Sequence, residues 1–225
     1  MRWLVLAALF AAIAAAPSAG ESSSPRCSKW AVSARIAGRA VCLRDDRRCN
    51  TRFAAQYRRH GFNCLYGTLV TRWDFLRSRP LTDRRISPGE ACPVTTETGR
   101  VGLYNGLGPG PAYPIGTTAA ITMRIPPPEG WGTEWSGTKR VWLLDSRYAG
   151  RALVRGRQLD GPNEVRFVLG VPGFTPEKVL NPVREQRIVG TSPSLTRLRA
   201  PGCYAYQVDT RTRSYLVIFE ARVAD

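Results

Sequence analysis

Ser214-Tyr-Leu-Val-Ile-Phe-Glu-Ala221 is a β-type run, five of its residues apolar in succession. In an extended chain Tyr215, Val217 and Phe219 fall on one side, and Leu216 and Ile218 on the other. Just upstream, Gly202-Cys-Tyr204 opens a second β-type run, Tyr204–Val208. A Gly-x-Tyr start to a late strand is one way that two-sheet domains place a tyrosine whose phenol bonds back to the main chain. Further out, short β-type runs separated by Gly and Pro fill the chain after Cys92. They are Arg100–Asn105, Ala119–Ile125, Arg140–Leu144, Ala152–Arg157, Val165–Leu169, Glu185–Val189 and Thr196–Arg199. Nothing after residue 90 keeps a helical period.

Strands of this length and spacing predict a mainly β chain, with an immunoglobulin-like β-sandwich over residues 90–225. Six cysteines, Cys27, Cys42, Cys49, Cys64, Cys92 and Cys203, read as a disulfide framework. Zinc would require closely paired ligands such as Cys-x-x-Cys. None is present, and His60 is the single histidine, so neither a metal nor a cofactor is expected.

Residues 26–67 read as a small cysteine module, a hairpin followed by a helix. Ala37-Gly38 is a two-residue turn between Trp30–Ile36 and Arg39–Arg44. That register sets Ala34 against Val41 and Val32 against Leu43, so one face is apolar. Asn50 can cap a helix over Thr51–His60, with Gly61 as its stop and Phe53 and Tyr57 on one side. His60 then suits the last helical turn better than catalysis. The register brings Cys27 toward Cys49, which favours Cys27–Cys49 and Cys42–Cys64 while leaving the other two connectivities open. Cys92 and Cys203 remain for a third bridge, Cys92–Cys203. The polar, arginine-rich stretch 68–89, broken by Pro80 and Pro88, reads as a linker.

Two resemblances add to this reading. Val41-Cys-Leu-Arg44, Arg48-Cys49 and Tyr57-Arg-Arg-His-Gly-Phe-Asn-Cys64 resemble a short cysteine module found at the front of many secreted bacterial proteins. Ala91-Cys-Pro-Val-Thr95, Val154-Arg-Gly-Arg-Gln-Leu-Asp-Gly-Pro162 and Ala200-Pro-Gly-Cys-Tyr-Ala-Tyr-Gln-Val-Asp209 resemble a family of uncharacterised secreted bacterial proteins with an immunoglobulin-like domain. The first resemblance implies export and a stapled fold. The second implies a bridge between Cys92 and Cys203, and neither brings catalytic residues.

The chain begins as an exported protein does. Met1-Arg2, apolar Trp3–Ala16 and small Pro17–Gly20 predict a signal peptide over 1–19 and a secreted or cell-envelope destination. The apolar run is shorter than the roughly 20 residues of a spanning helix. Charge is uneven. Residues 26–88 hold 15 Lys+Arg against 4 Asp+Glu, net +11, while residues 89–225 hold 17 against 12, net +5. Arginine bias also follows genome composition, so its number alone does not argue for binding.

The candidate binding residues are Arg47, Arg48, Arg52, Arg58 and Arg59, grouped around the short helix, with Trp131 and Trp135 in a glycine-rich loop. The leading expectation is an envelope or extracellular binding protein. Its basic module would touch anionic wall polymer or a membrane surface, without sequence-specific nucleic-acid recognition. A secreted hydrolase drawing on Asp145, Asp160, Glu164 or Asp209 is the rival, and an inhibitor using an exposed loop is a third reading. Gly106-Leu-Gly-Pro-Gly-Pro111 lacks the Lys-Ser/Thr of a phosphate loop and reads as a turn. Arg155 and Arg157 share a strand face and can grip an anion, though a solvated face is the simpler expectation.

Overall fold

The computed structural model describes residues 26–87, 89–101, 103–115, 119–125, 127, 134–168, 173–182 and 191–224. The expected signal peptide, Trp131 and the candidate strand Glu185–Val189 lie outside them. The amino-terminal part is a hairpin of β1 (Val32–Ile36) and β2 (Arg39–Leu43), a 3₁₀ turn over Thr51–Phe53, α1 (Ala54–Arg59), a second hairpin of β3 (Phe62–Leu65) and β4 (Thr68–Thr71), and α2 (Trp73–Arg77). In the first hairpin Ala34 lies opposite Val41 and Val32 opposite Leu43. Ala37 and Gly38 both have positive φ, 51° and 76°, the pair that a two-residue turn matching strand twist requires. The Asn50 side chain accepts the Arg52 N–H at 3.0 Å and so caps the helical segment. Gly61 ends it at φ 78°. Ala34, Ile36, Leu43, Tyr57, Phe62 and Leu69 form the small core, with Val41 and Phe53 packed beside it.

Two bridges differ from expectation. Cys27 is bonded to Cys42 and Cys49 to Cys64, with Cα separations of 5.5 and 5.8 Å, in place of Cys27–Cys49 and Cys42–Cys64. A turn closed by Ala31 N–H to Ser28 O (2.9 Å) folds the chain start back onto β2. Residues 46–49 then run beside the second hairpin: Asp46 N–H meets Leu69 O, Leu69 N–H meets Arg47 O, and Cys49 N–H meets Gly67 O. That pairing carries Cys49 to Cys64 on β3. The third bridge, Cys92–Cys203, is the one expected.

The rest of the described chain is β5 (Glu97–Val101), β6 (Tyr104–Leu107), β7 (Ala112–Ile115), β8 (Ala120–Met123), β9 (Ser136–Leu144), β10 (Ala152–Gln158), β11 (Arg166–Val168), β12 (Glu177–Leu180), β13 (Thr191–Leu198), β14 (Gly202–Thr210) and β15 (Ser214–Val223). One sheet has the order β12-β10-β14-β15-β8 and the other β11-β13-β9-β7-β6-β5. The two share one core: Leu107, Ala112, Trp142 and Leu144 from the second meet Val154, Tyr204, Tyr206, Val208, Val217 and Phe219 from the first. Trp142 meets the Tyr206 ring edge-on at 5.2 Å, and Tyr206 stacks on Phe219 at 4.4 Å. The Tyr204 hydroxyl donates to Ala200 O at 2.8 Å, the bond back to the main chain that Gly202-Cys-Tyr204 led us to expect.

The stretch Thr68–Gly89 is more than a linker. Its first residues are β4, whose Leu69 is fully buried, and α2 buries Leu76. From Ser78 onward it becomes a strap on the outer face of the five-stranded sheet. Thr82 N–H donates to Gln207 Oε1 (2.6 Å), Gln207 Nε2 donates to Pro80 O (2.9 Å), and Ile86 N–H donates to Leu159 O (3.1 Å). Beyond it, Thr95 N–H reaches Ile218 O (2.9 Å) and Cys92 is bonded to Cys203. Because residues alternate across a strand, Tyr204, Tyr206 and Val208 enter the core while Cys203, Ala205 and Gln207 point at the strap. Both faces of β14 are therefore buried.

Candidate functional site

All five arginines singled out in the sequence are exposed, but they do not form one site. Arg47 and Arg48 lie on the extended segment that pairs with the second hairpin, where Arg48 bridges Thr68. Arg52 sits in the 3₁₀ turn, and Arg58 and Arg59 occupy the last turn of α1, where cations suit the helix end. Arg47 and Arg48 rim a groove of about 580 Å³. Its apolar lining is Ile36, Val41, Leu43, Phe53 and Tyr57, and Arg39 and Asn50 complete the rim. Arg52, Arg58 and Arg59 do not line it. Sequence reasoning missed Arg39, although the hairpin register that sets it opposite Ile36 was legible. Arg47 also borders a neighbouring cleft of about 270 Å³ with Ser28, Ala31, Cys42 and Arg44, and its Nη1 donates to Cys42 O at 2.6 Å.

The charges of this surface are grouped and unpaired. Arg35, Arg39, Arg44, Arg47, Arg48, Arg52, Arg58 and Arg59 are all exposed and belong to no ion pair among the described residues. In the two large sheets and their loops five arginines find acids: Arg147 pairs with Asp145, Arg155 with Asp209, Arg166 with Glu164, Arg199 with Glu134, and Arg222 with Glu220. Asp45, an acid of the module, is turned inward. Its carboxylate accepts the Thr71 N–H at 2.5 Å and the Thr71 hydroxyl at 2.6 Å, and burial raises its pKa above the usual carboxylate value. The positive field of the module is thus left open to solvent.

Trp135 is buried, leaning on Phe174 at 5.3 Å with the Arg199 guanidinium 4.5 Å from its ring. It closes one end of the sheets, next to a cleft of about 290 Å³ lined by Met123, Ile125, Pro127, Glu134, Ser136 and Arg199. Arg155 and Arg157 are taken by the strap, since Arg155 donates to Arg79 O (2.8 Å) and Arg157 to Thr82 O (3.1 Å). That replaces both the anion grip and the solvated face. The four carboxylates considered for hydrolysis have separate structural partners: Asp145 and Glu164 in the ion pairs above, Asp160 accepting the Cys203 N–H, and Asp209 held by Arg155, Gln207 and Ser214. None lines the three cavities described. His60 caps α1, and its pKa is lowered by partial burial and then by the Arg211 and Arg59 charges. Within Gly106–Pro111 the first two residues end β6 and Gly108–Pro111 turns into β7. Among the described residues no cluster of three or more His, Cys, Asp or Glu side chains is placed to hold a metal.

Comparison with known proteins gives no match to this chain, whether against family models, curated sequences or solved structures.

Proposed function

We propose that this chain is an extracytoplasmic binding protein whose amino-terminal module engages polyanions and whose carboxy-terminal part is an immunoglobulin-like sandwich that carries it. The observation behind this is the set of eight exposed arginines without ion pairs, three of them (Arg39, Arg47 and Arg48) around an apolar groove. Genome composition explains many arginines, but it does not explain their grouping on one surface where none of the eight is met by an acid among the described residues. Clustered cations attract a polyanion by releasing its condensed counterions. Three disulfides suit an oxidising compartment, in keeping with the signal peptide expected over 1–19. The immunoglobulin-like assignment draws on the Tyr204 corner and on the parallel pairing of β8 with the last strand. In one respect it departs from that pattern: Cys92–Cys203 staples a strap to the outer face and does not join the two sheets. The resemblances to secreted bacterial proteins accord with the same reading.

The test is binding of the full mature chain to heparin and to teichoic acid across a salt series. Affinity should fall log-linearly with salt, and the triple variant Arg39→Gln, Arg47→Gln, Arg48→Gln should flatten that slope by roughly one unit for each arginine replaced. No binding at low salt, or an unchanged slope, overturns the proposal.

A further inference from the structure

The tip of the second hairpin is built against its own conformational interest. Tyr66 and Gly67 connect β3 to β4 with φ of 49° and 75°. The first position of such a turn favours Asn, Asp or Gly, because a bulky side chain in the left-handed region is strained. Tyr66 occupies it with a relative exposure of 104%, and the neighbouring Leu65 is 44% exposed. Neither turn propensity nor packing within the chain accounts for an aromatic residue there. The first hairpin solves the same geometry with Ala37-Gly38.

The tip stands beside the arginine surface. Cys49 N–H bonds Gly67 O at 2.8 Å and Arg48 bridges Thr68, so Arg47 and Arg48 follow the hairpin directly behind Leu65 and Tyr66. Asp46 is the acid on that segment. An apolar, aromatic tip with cations a few residues behind it matches the layering of an anionic bilayer. Tyrosine rests at headgroup depth with its ring toward the acyl chains and its hydroxyl toward water, and arginines meet phosphates at the surface. A soluble polyanion offers phosphates or sulfates but no apolar layer for Leu65 and Tyr66.

Resting on the polyanion reading, we infer that the anionic surface this module engages is a lipid bilayer, with the Leu65–Tyr66 tip inserted among the headgroups. The experiment is co-sedimentation of the mature chain with vesicles of mixed phosphatidylglycerol and phosphatidylcholine, with phosphatidylcholine vesicles and heparin as parallel arms. Leu65→Ser/Tyr66→Ser should lower partition onto the mixed vesicles by roughly tenfold or more, since shielding part of two such side chains from water is worth at least a decade. Heparin affinity should be unchanged by it. Tyr66→Asn suits the turn better than the native residue, so it should fold at least as well and still lose vesicle binding. Vesicle binding that the tip variants leave intact, or heparin binding without vesicle binding, overturns the inference and leaves the polyanion reading standing. Absence of binding to both ligands at low salt in the unaltered chain overturns both.

Discussion

Asp45 shows how a single side chain reports on its surroundings. It sits at the seam between the module and the sheets, and both its oxygens are committed to Thr71, which is itself fully buried. Burial outweighs those bonds and the nearby Arg151 charge, so the folded state holds the Asp45 proton more tightly than the unfolded chain does. A raised carboxyl pKa contributes stability below the ordinary carboxylate range and loses it as pH rises through the folded value. Asp45→Asn keeps both bonds, with its Oδ1 accepting the Thr71 N–H and its Nδ2 donating to the Thr71 hydroxyl. Urea unfolding of that variant should show a midpoint at neutral pH no lower than the native one, and a smaller decline from acid to neutral pH. Asp45→Ala strands two buried polar groups and should cost about 1–3 kcal/mol. None of this was legible in Asp45-Asp46, where nothing in the pattern separates the buried acid from its exposed neighbour.

Strands are legible where β-type residues run together between Gly and Pro. In Ser214–Ala221 both expected faces are present, with Tyr215, Val217 and Phe219 at the shared core and Leu216 and Ile218 under the strap. β7 went unread because Pro114 stands inside it, and proline argues against an internal strand. Its pairing to β6 is confined to Gly106 opposite Ile115, so one missing donor costs little there. β12 was missed because Glu177-Lys-Val-Leu180 is short and half charged. The strap is not legible for another reason: its bonds run from main-chain groups to Gln207, Arg155 and Arg157, which leaves no periodicity in the sequence. Its clamp is testable. The Cys92→Ser/Cys203→Ser variant opens a closed loop with a sequence separation of 111 residues, worth up to about 4–5 kcal/mol on chain-entropy grounds. Limited proteolysis should then cut within residues 86–95 faster than in the native chain, where Ile86 and Thr95 anchor the ends of the segment to the sheet.

Taken as one body, the molecule joins its halves through arginines turned inward. Arg211 packs its guanidinium against Phe75 at 4.3 Å and Phe62 at 5.3 Å, and burial with the Arg79 charge lowers its pKa to about 10, so it stays charged at neutral pH. Arg151 donates to Thr71 O at 3.0 Å and lies over Trp73, and at the surface the exposed Arg77 adds an ion pair with Glu177. Calorimetry of the native chain should show one transition. Arg211→Ala, which removes the side chain stacked between the two halves, should separate it into two, with the module melting first. The basic composition of residues 26–88 was plain in the sequence, but the division between inward and outward arginines was not. It depends on which strand edge each residue reaches, and only the folded chain decides that.

The connectivity of the bridges bears on how the protein is made. Each cysteine is bonded to the next along the chain: first to second, third to fourth, fifth to sixth. A chain delivered amino terminus first presents every partner before the following pair emerges. An oxidant that joins thiols in order of appearance therefore forms the native set directly, with no mispaired intermediate for an isomerase to reshuffle. On such a route the two early closures would hold the module together while the β-rich remainder arrives, and only Cys92 would wait, unbonded, for a partner that comes near the end.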